Sequence, residues 1–107
     1  MPKEITTEPV EQVVTESLVV PALGTPKKYK VVLYNDDYTP MGFVVDILRH
    51  FFYLTEGNAI QVMMAIHKKG RAVCGVFTRD VAETIVGLVN DHARLNQYPL
   101  LCVLETE

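Results

Sequence analysis

The sequence predicts an α+β fold, a two-layer α/β sandwich in which a three-stranded antiparallel sheet packs against three helices in the order β-α-α-β-α-β. Short β-branched and aromatic runs predict the strands, and longer runs with apolar residues at three-to-four spacing predict the helices. Turn and capping residues separate them. The length of 107 residues suits one compact domain, which we place at residues 27–107.

The first strand and the first helix are separated by a polar turn. Residues 29–34 (YKVVLY) predict a strand, and residues 35–38 (NDDY) predict the turn that ends it. Thr39 is the expected N-cap of the helix, followed by Pro40, whose missing N–H costs nothing at a first helical position. A buried helical stripe is predicted from the spacing of Phe43, Val44, Ile47, Leu48, Phe51 and Phe52.

The second helix is expected from near Thr55 to Lys69, with Gly70 as its C-terminal stop. Its apolar side is predicted to consist of Ala59, Val62, Met63 and Ile66.

The last three elements follow the same rules. Residues 71–77 (RAVCGVF) predict a strand, Thr78 is expected to cap the third helix, and Asp80 lies in its first turn, where a carboxylate favours the helix dipole. Pro99 ends that region, and residues 100–104 predict the last strand. The apolar face of the third helix is predicted to contain Val81, Ile85, Leu88, Val89 and Ala93.

Residues 1–26 differ in composition from the rest of the chain. They carry one Lys against four Glu, four of the six prolines and no aromatic residue. A segment without aromatic surface to bury recovers little of its ordering entropy, so we expect a flexible, acidic N-terminal extension. From composition alone, a solvated extension without a role stays an equal alternative.

The composition also excludes several classes of protein. No apolar run approaches the ~18–20 residues of a membrane-spanning helix, and the glutamates of the first twenty residues exclude a secretory signal. Two cysteines cannot staple a small secreted fold, so we expect a cytoplasmic protein. The net charge of −3 argues against a nucleic-acid binder. Residues 69–76 loosely resemble an RNA-binding strand, but Arg71, Val73 and Val76 replace its stacking aromatics.

Catalytic and metal-binding patterns are missing from the sequence. Cys74 and Cys102 lie in predicted strands among apolar neighbours, which indicates inert core thiols. The three histidines are scattered, no metal-ligand spacing occurs, and we expect no cofactor. Asp36 and Asp37 point to opposite sides of an extended chain and would not share a proton.

The junction between the first strand and helix holds the remaining chemistry. Asn35 and Asp37 are two residues apart, so their acceptor side chains leave the same side of an extended segment. Spacing alone favours an ordinary polar turn here over a binding site.

Several separate blocks of this sequence closely resemble the ClpS family, adaptors that hand N-degron substrates to the ClpAP protease. The resemblance covers residues 28–105 and includes NDDYTPM at 35–41, MMAIH at 63–67, VCGVFT at 73–78, AET at 82–84 and PL at 99–100. It implies a non-catalytic protein that binds a free N-terminal Leu, Phe, Tyr or Trp. The implied contacts to the substrate α-amino group are Asn35, Asp36, Asp37 and His67, with Asp36 supporting the loop or the following peptide. The implied side-chain pocket consists of Thr39, Met41, Val44, Met63, Ile66 and Leu100.

The resemblance also implies a gate and a partner surface. Met41 would exclude β-branched Ile and Val, whose bulk lies close to the backbone. The N-terminal domain of the ClpA unfoldase would dock near Asp80 and Glu83, although Ile85 stands where some members have lysine. The unfoldase would engage residues 1–26 during hand-off, and the adaptor would be a monomer. A small-ligand, amino-acid-binding regulatory domain and a carboxylate hydrolase are the alternatives from other classes.

Overall fold

The computed structural model describes residues 26–107, which form three strands and three helices in the predicted order. Most of the boundaries lie within one or two residues of those expected. The elements are β1 (Lys28–Tyr34), α1 (Met41–Phe51), α2 (Glu56–Lys69), β2 (Arg71–Thr78), α3 (Arg79–Leu95) and β3 (Leu101–Thr106). The predicted α+β sandwich is therefore confirmed.

The sheet is antiparallel, with β1 between β2 and β3. Tyr34 at the end of β1 lies opposite Arg71 of β2 and Leu101 of β3. The pairing of β1 with β2 shifts between Val31 and Val32, which leaves one extra residue in β2. This β-bulge allows β2 to keep alternate side chains on the correct faces at both of its ends.

The three helices cover one face of the sheet and enclose a single core. Val31 and Leu33 supply this face of β1, and both are fully buried in the core cluster. The helices and the C-cap residue of α1 add Val44, Ile47, Leu48, Phe52, Met63, Ile66 and Val89, and Leu100 joins them from the segment before β3. The cluster reaches the C-terminal end of β1, so the segment that leaves this strand starts beside the packed core.

The ends of α2 follow the prediction. The Thr55 side chain accepts a hydrogen bond from the Asn58 amide at 3.2 Å, which satisfies one of the free N–H groups of the first turn. Gly70 adopts the left-handed conformation with φ of 88°, and its N–H donates to the Ile66 carbonyl. A residue with a Cβ would be strained there.

Of two further expected caps, the one at Thr39 is wrong and the one at Thr78 is confirmed in position. Pro40, not Thr39, is the N-cap residue of α1. Its missing N–H still costs nothing, but the Thr39 hydroxyl is used elsewhere, as a donor to Asp36. Thr78 is the N-cap residue of α3 as predicted, but its side chain makes no capping hydrogen bond.

The buried face of α3 also differs from the prediction. Val89 and Ala93 are buried as expected, whereas Val81 and Leu88 are half exposed. The position nearest the sheet in the first turn belongs to Ala82, which is fully buried. Small residues on this face allow the helix backbone to approach the strands closely. The spacing of apolar residues does not show where a small residue is preferred over a large one.

The outer edge of β3 is covered by a side chain of α3. The Asn90 amide donates to the Cys102 carbonyl and its oxygen accepts from the Cys102 N–H, both at 2.9 Å. These two bonds reproduce the pairing that a neighbouring strand would supply. Asn90 therefore satisfies an edge strand that would otherwise expose free donors and acceptors.

Replacement of Asn90 by alanine should destabilise the domain by about 2 kcal/mol, because an unpaired buried donor or acceptor costs ~1–3 kcal/mol. Asn96→Ala is the matched control, since within residues 26–107 its side-chain amide donates to an exposed carbonyl, that of His92. Urea unfolding of both variants measures the difference. Equal midpoints for the two variants would contradict a structural role for the Asn90 contact.

Candidate functional site

The loop after β1 is tied to the end of α2. The Asn35 N–H donates to the Gly70 carbonyl at 2.9 Å, and Gly70 itself closes the last turn of α2. His67 lies in that last turn. One backbone hydrogen bond therefore brings the start of the loop beside the helix end that carries the histidine.

Asp36 organises the rest of the loop. One oxygen of its carboxylate accepts from the amides of Tyr38 and Thr39, at 2.8 and 2.7 Å, and the other accepts from the Thr39 hydroxyl at 2.7 Å. Burial opposes the charged form of Asp36, but these three hydrogen bonds outweigh it and lower the pKa of the carboxyl. An ionised Asp36 thus fixes the turn that leads into α1.

Three polar side chains near Asp36 are free to bind a ligand. Asn35, Asp37 and His67 are exposed, and none of their side chains hydrogen-bonds another residue within residues 26–107. Each can present at least one acceptor: an amide oxygen, a carboxylate and an imidazole nitrogen. An arrangement of this kind suits a ligand group that carries several donors.

These acceptors border a cavity of about 170 Å³ that opens to the surface. It lies between the loop, the start of α1, the C-terminal half of α2 and the residue before β3. All ten residues expected to form the site line this one cavity: Asn35, Asp36, Asp37, Thr39, Met41, Val44, Met63, Ile66, His67 and Leu100. The structure therefore brings the expected set together, while the binding role of each residue stays a prediction.

The cavity has a polar end and an apolar end. Val44, Met63, Ile66 and Leu100 are buried members of the hydrophobic core, so their positions are fixed by packing. Met41, the first residue of α1, is 47% exposed and lies at the cavity as its least constrained apolar wall. A ligand with donors beside an apolar group would match this layout.

Tyr34 also lines the cavity and was missed by the sequence reasoning. Its position directly before Asn35 was the available signal. Asp80 and Glu83, the expected partner contacts, do not line the cavity. They lie in the first turns of α3, where Glu83 pairs with Arg79 at 2.9 Å.

Other reactive groups do not contribute to this site. Cys74 and Cys102 are buried, and burial raises the pKa of each thiol to about 12, so both are protonated near neutral pH. Residues 26–107 contain no group of three or more His, Cys, Asp or Glu side chains that could hold a metal ion. No helix in the same range is long and apolar enough to span a bilayer.

Comparisons with known proteins give a consistent result. Residues 24–103 match the family described as ATP-dependent Clp protease adaptor protein ClpS. The chain is 56% identical over 90 residues to ATP-dependent Clp protease adapter proteins ClpS of Escherichia coli O1:K1 and Citrobacter koseri, covering 84% of this chain and 85% of each relative.

A solved structure resembles the whole described fold. It is that of Agrobacterium tumefaciens ClpS2 bound to L-phenylalaninamide, with a TM-score of 0.75 and 42% identity, covering 78% of this chain and 100% of the other. Similarity of this extent in sequence and structure shows common ancestry. The chain belongs to the ClpS family of Clp protease adaptors.

Proposed function

We propose that the cavity binds the free N-terminal residue of a client protein, when that residue is Leu, Phe, Tyr or Trp, for delivery to the ClpA unfoldase. The observation that carries the proposal is the position of three available acceptors, Asn35, Asp37 and His67, beside one apolar cavity. The relative from A. tumefaciens was solved with L-phenylalaninamide, which has a free α-amine and a benzyl side chain. A free amine and a bulky apolar side chain are the two ligand features that the polar and apolar ends of this cavity would accommodate.

The polar end suits an α-ammonium group. A chain's α-amine has a pKa of about 7.7–8.0, so near neutral pH it is mostly a cation with three donors. The three acceptors of Asn35, Asp37 and a neutral His67 match that number, and the carboxylate of Asp37 complements the charge. An internal residue or an acetylated terminus lacks this cation and leaves the acceptors without a partner.

The apolar end suits one bulky side chain. A cavity of about 150 Å³ lined by Leu, Ile and Phe is known to hold benzene in another protein, and this one measures about 170 Å³. Burying a Leu or Phe side chain contributes ~1.5–3 kcal/mol, and each charge-assisted hydrogen bond contributes a similar ~1.5–3 kcal/mol. After an association cost of at least ~4 kcal/mol, both ends are needed for micromolar binding.

The cavity lining favours a terminal residue over a free amino acid. Eleven of the residues that the structure describes line the cavity, and none of them is Lys or Arg. The carboxylate of a free amino acid would therefore lie near Asp36 and Asp37 without a cationic partner, whereas a peptide bond brings no charge. This difference in charge between a free amino acid and a peptide favours the adaptor over an amino-acid-binding regulatory domain. Binding and delivery of a client need no catalytic step.

The hand-off surface is the second part of the proposal. Glu83 is half exposed, and within residues 26–107 its one ion pair is the i,i+4 pair with Arg79, which contributes ~0–1 kcal/mol. Such a pair exchanges partners at little cost, so Glu83 and Asp80 can face a ClpA N-terminal domain. Residues 1–26, of which 1–25 lie outside the described residues, would be the segment that the unfoldase engages. A monomer in the cytoplasm fits this role.

Acetylation of the ligand tests the proposal most simply. We expect a Leu-initiated peptide to bind at least tenfold more tightly than the same peptide with an acetylated N-terminus, because acetylation removes the cation. Leucinamide should also bind more tightly than leucine. Isothermal titration measures all four affinities. Equal affinities within the peptide pair would remove ammonium recognition, and tighter binding of leucine would favour the regulatory domain.

Met41→Ala tests the gate. Removal of the side chain should widen the mouth of the cavity and admit Ile- and Val-initiated peptides, with little change for Leu. Fluorescence anisotropy with labelled peptides of each class provides the measurement. Leu88→Ala is a control with a similarly exposed apolar side chain on α3, outside the cavity lining. Continued rejection of Ile and Val by Met41→Ala would show that the gate lies elsewhere.

Asp36 should act by positioning the loop, whereas Asp37 should act by direct contact with the peptide. Asp36→Ala should lower both the melting temperature and peptide affinity, because it removes three loop hydrogen bonds. Asp37→Ala should leave the melting temperature unchanged and lower affinity about 10- to 100-fold, the value of one charge-assisted bond. Calorimetry and titration on both variants give the comparison, and identical profiles for the two would contradict the division.

The stability contribution of Asp36 should depend on pH in one direction. Its folded-state pKa is lowered, so the contribution is fully present above the ordinary aspartate pKa of about 3.9 and is lost as pH falls through the folded value. The difference in stability between the wild type and Asp36→Ala should therefore shrink below about pH 4. A difference that grows on acidification would contradict the assignment.

A further inference from the structure

The sheet has one face without helices. Val31 and Leu33 point into the core beneath the helices, and side chains alternate along a strand, so Lys30 and Val32 point the other way. The pairing register places Val73 opposite Val32, Val76 opposite Lys30 and Thr78 opposite Lys28. We call this surface the open face, and its main members are Lys28, Lys30, Val32, Val73, Val76 and Leu101.

The open face exposes three large aliphatic side chains. Val73, Val76 and Leu101 are 43%, 42% and 48% exposed. They come from both edge strands and flank β1 on either side. These half-exposed aliphatic side chains lie on both sides of β1 and are apolar surface that a further segment can bury.

One corner of the open face is already covered by polar side chains. Val32 is fully buried without belonging to the core cluster. Nearby, Glu105 accepts from Arg71 at 2.6 Å and from the Tyr34 hydroxyl at 3.3 Å, and the Arg71 guanidinium lies 5.5 Å from the Tyr34 ring centre. On the open face, Lys28 and Lys30 are the positively charged residues that have no ion pair within residues 26–107.

We infer that residues 13–23 of this chain dock on the open face. The chain enters the sheet at Lys28, which belongs to this face, so the preceding segment starts at its border. Gly24 and Pro26 are turn formers that suit a reversal of direction at that point. The stretch from residue 13 to residue 20 spans ~26 Å when extended, about the length of β2, and it contains Val13, Val14, Leu18, Val19 and Val20.

Electrostatic complementarity favours residues 13–23 over a second copy of the chain as the segment that covers the open face. Residues 1–25 carry four Glu and one Lys, among them Glu11 and Glu16 within or beside the docking segment. These carboxylates complement Lys28 and Lys30. Two open faces placed together would instead bring four lysines into one interface, where like charges oppose association.

A spin label at position 17 tests the inference without any client peptide. The natural thiols are buried and protonated, so a nitroxide reagent should label Ser17→Cys selectively in the full chain. We expect NMR signal loss at the amides of Val73 and Leu101, at the end of the sheet far from Lys28. The loss should weaken as salt rises, because salt screens the glutamate–lysine attraction.

A charge-reversal pair supplies the matched control. Lys28→Glu with Lys30→Glu should restore the signals of Val73 and Leu101, whereas Lys68→Glu with Lys69→Glu, at the end of α2, should leave the loss unchanged. Signal loss confined to residues beside Lys28, or located on α3, would overturn the inference. So would loss that appears only when label and isotope are on separate chains, since that result would identify a second copy as the occupant.

Discussion

The site depends on the ionised carboxylate of Asp36. Its three hydrogen bonds hold the amides of Tyr38 and Thr39 and the Thr39 hydroxyl, and so fix a loop of six residues between β1 and α1. Because the Asp36 carboxylate accepts these loop hydrogen bonds, the side-chain acceptors of Asn35 and Asp37 have no hydrogen bond within residues 26–107. The bond from Asn35 to Gly70 then sets this loop against the end of α2.

The cavity combines rigid and adaptable walls. Ile66 and Leu100 belong to the hydrophobic core, so the depth of the cavity is fixed by the same packing that stabilises the fold. Met41 is half exposed at the start of α1 and can change rotamer without disturbing that core. The side chains of Asn35, Asp37 and His67 are exposed, where solvent can reach them, so none is a buried unpaired polar group. The apolar walls and the polar acceptors of the cavity therefore come from separate parts of one small domain.

The sequence predicted the elements well because periodicity, Thr55 and Gly70 all report local structure. It predicted less about contacts that depend on tertiary structure. Thr39 is a residue type that often caps helices, but its hydroxyl donates to the Asp36 carboxylate. Sequence spacing alone could not show whether the hydroxyl would bind the helix backbone or Asp36. Val81 and Leu88 fitted an apolar stripe, yet the small Ala82 takes the buried position. The site residues were brought together as expected, although spacing alone favoured a plain turn, and only family resemblance supplied roles for them.

A crystal structure of the chain with a Leu-initiated peptide tests the central claim most directly. We expect the peptide's ammonium nitrogen to lie within hydrogen-bond distance of Asn35, Asp37 and His67, with the leucine side chain inside the cavity. The Asp36 carboxylate should keep its hydrogen bonds to the loop. A peptide whose first side chain lies outside the cavity, or whose terminus contacts none of these three residues, would contradict that claim.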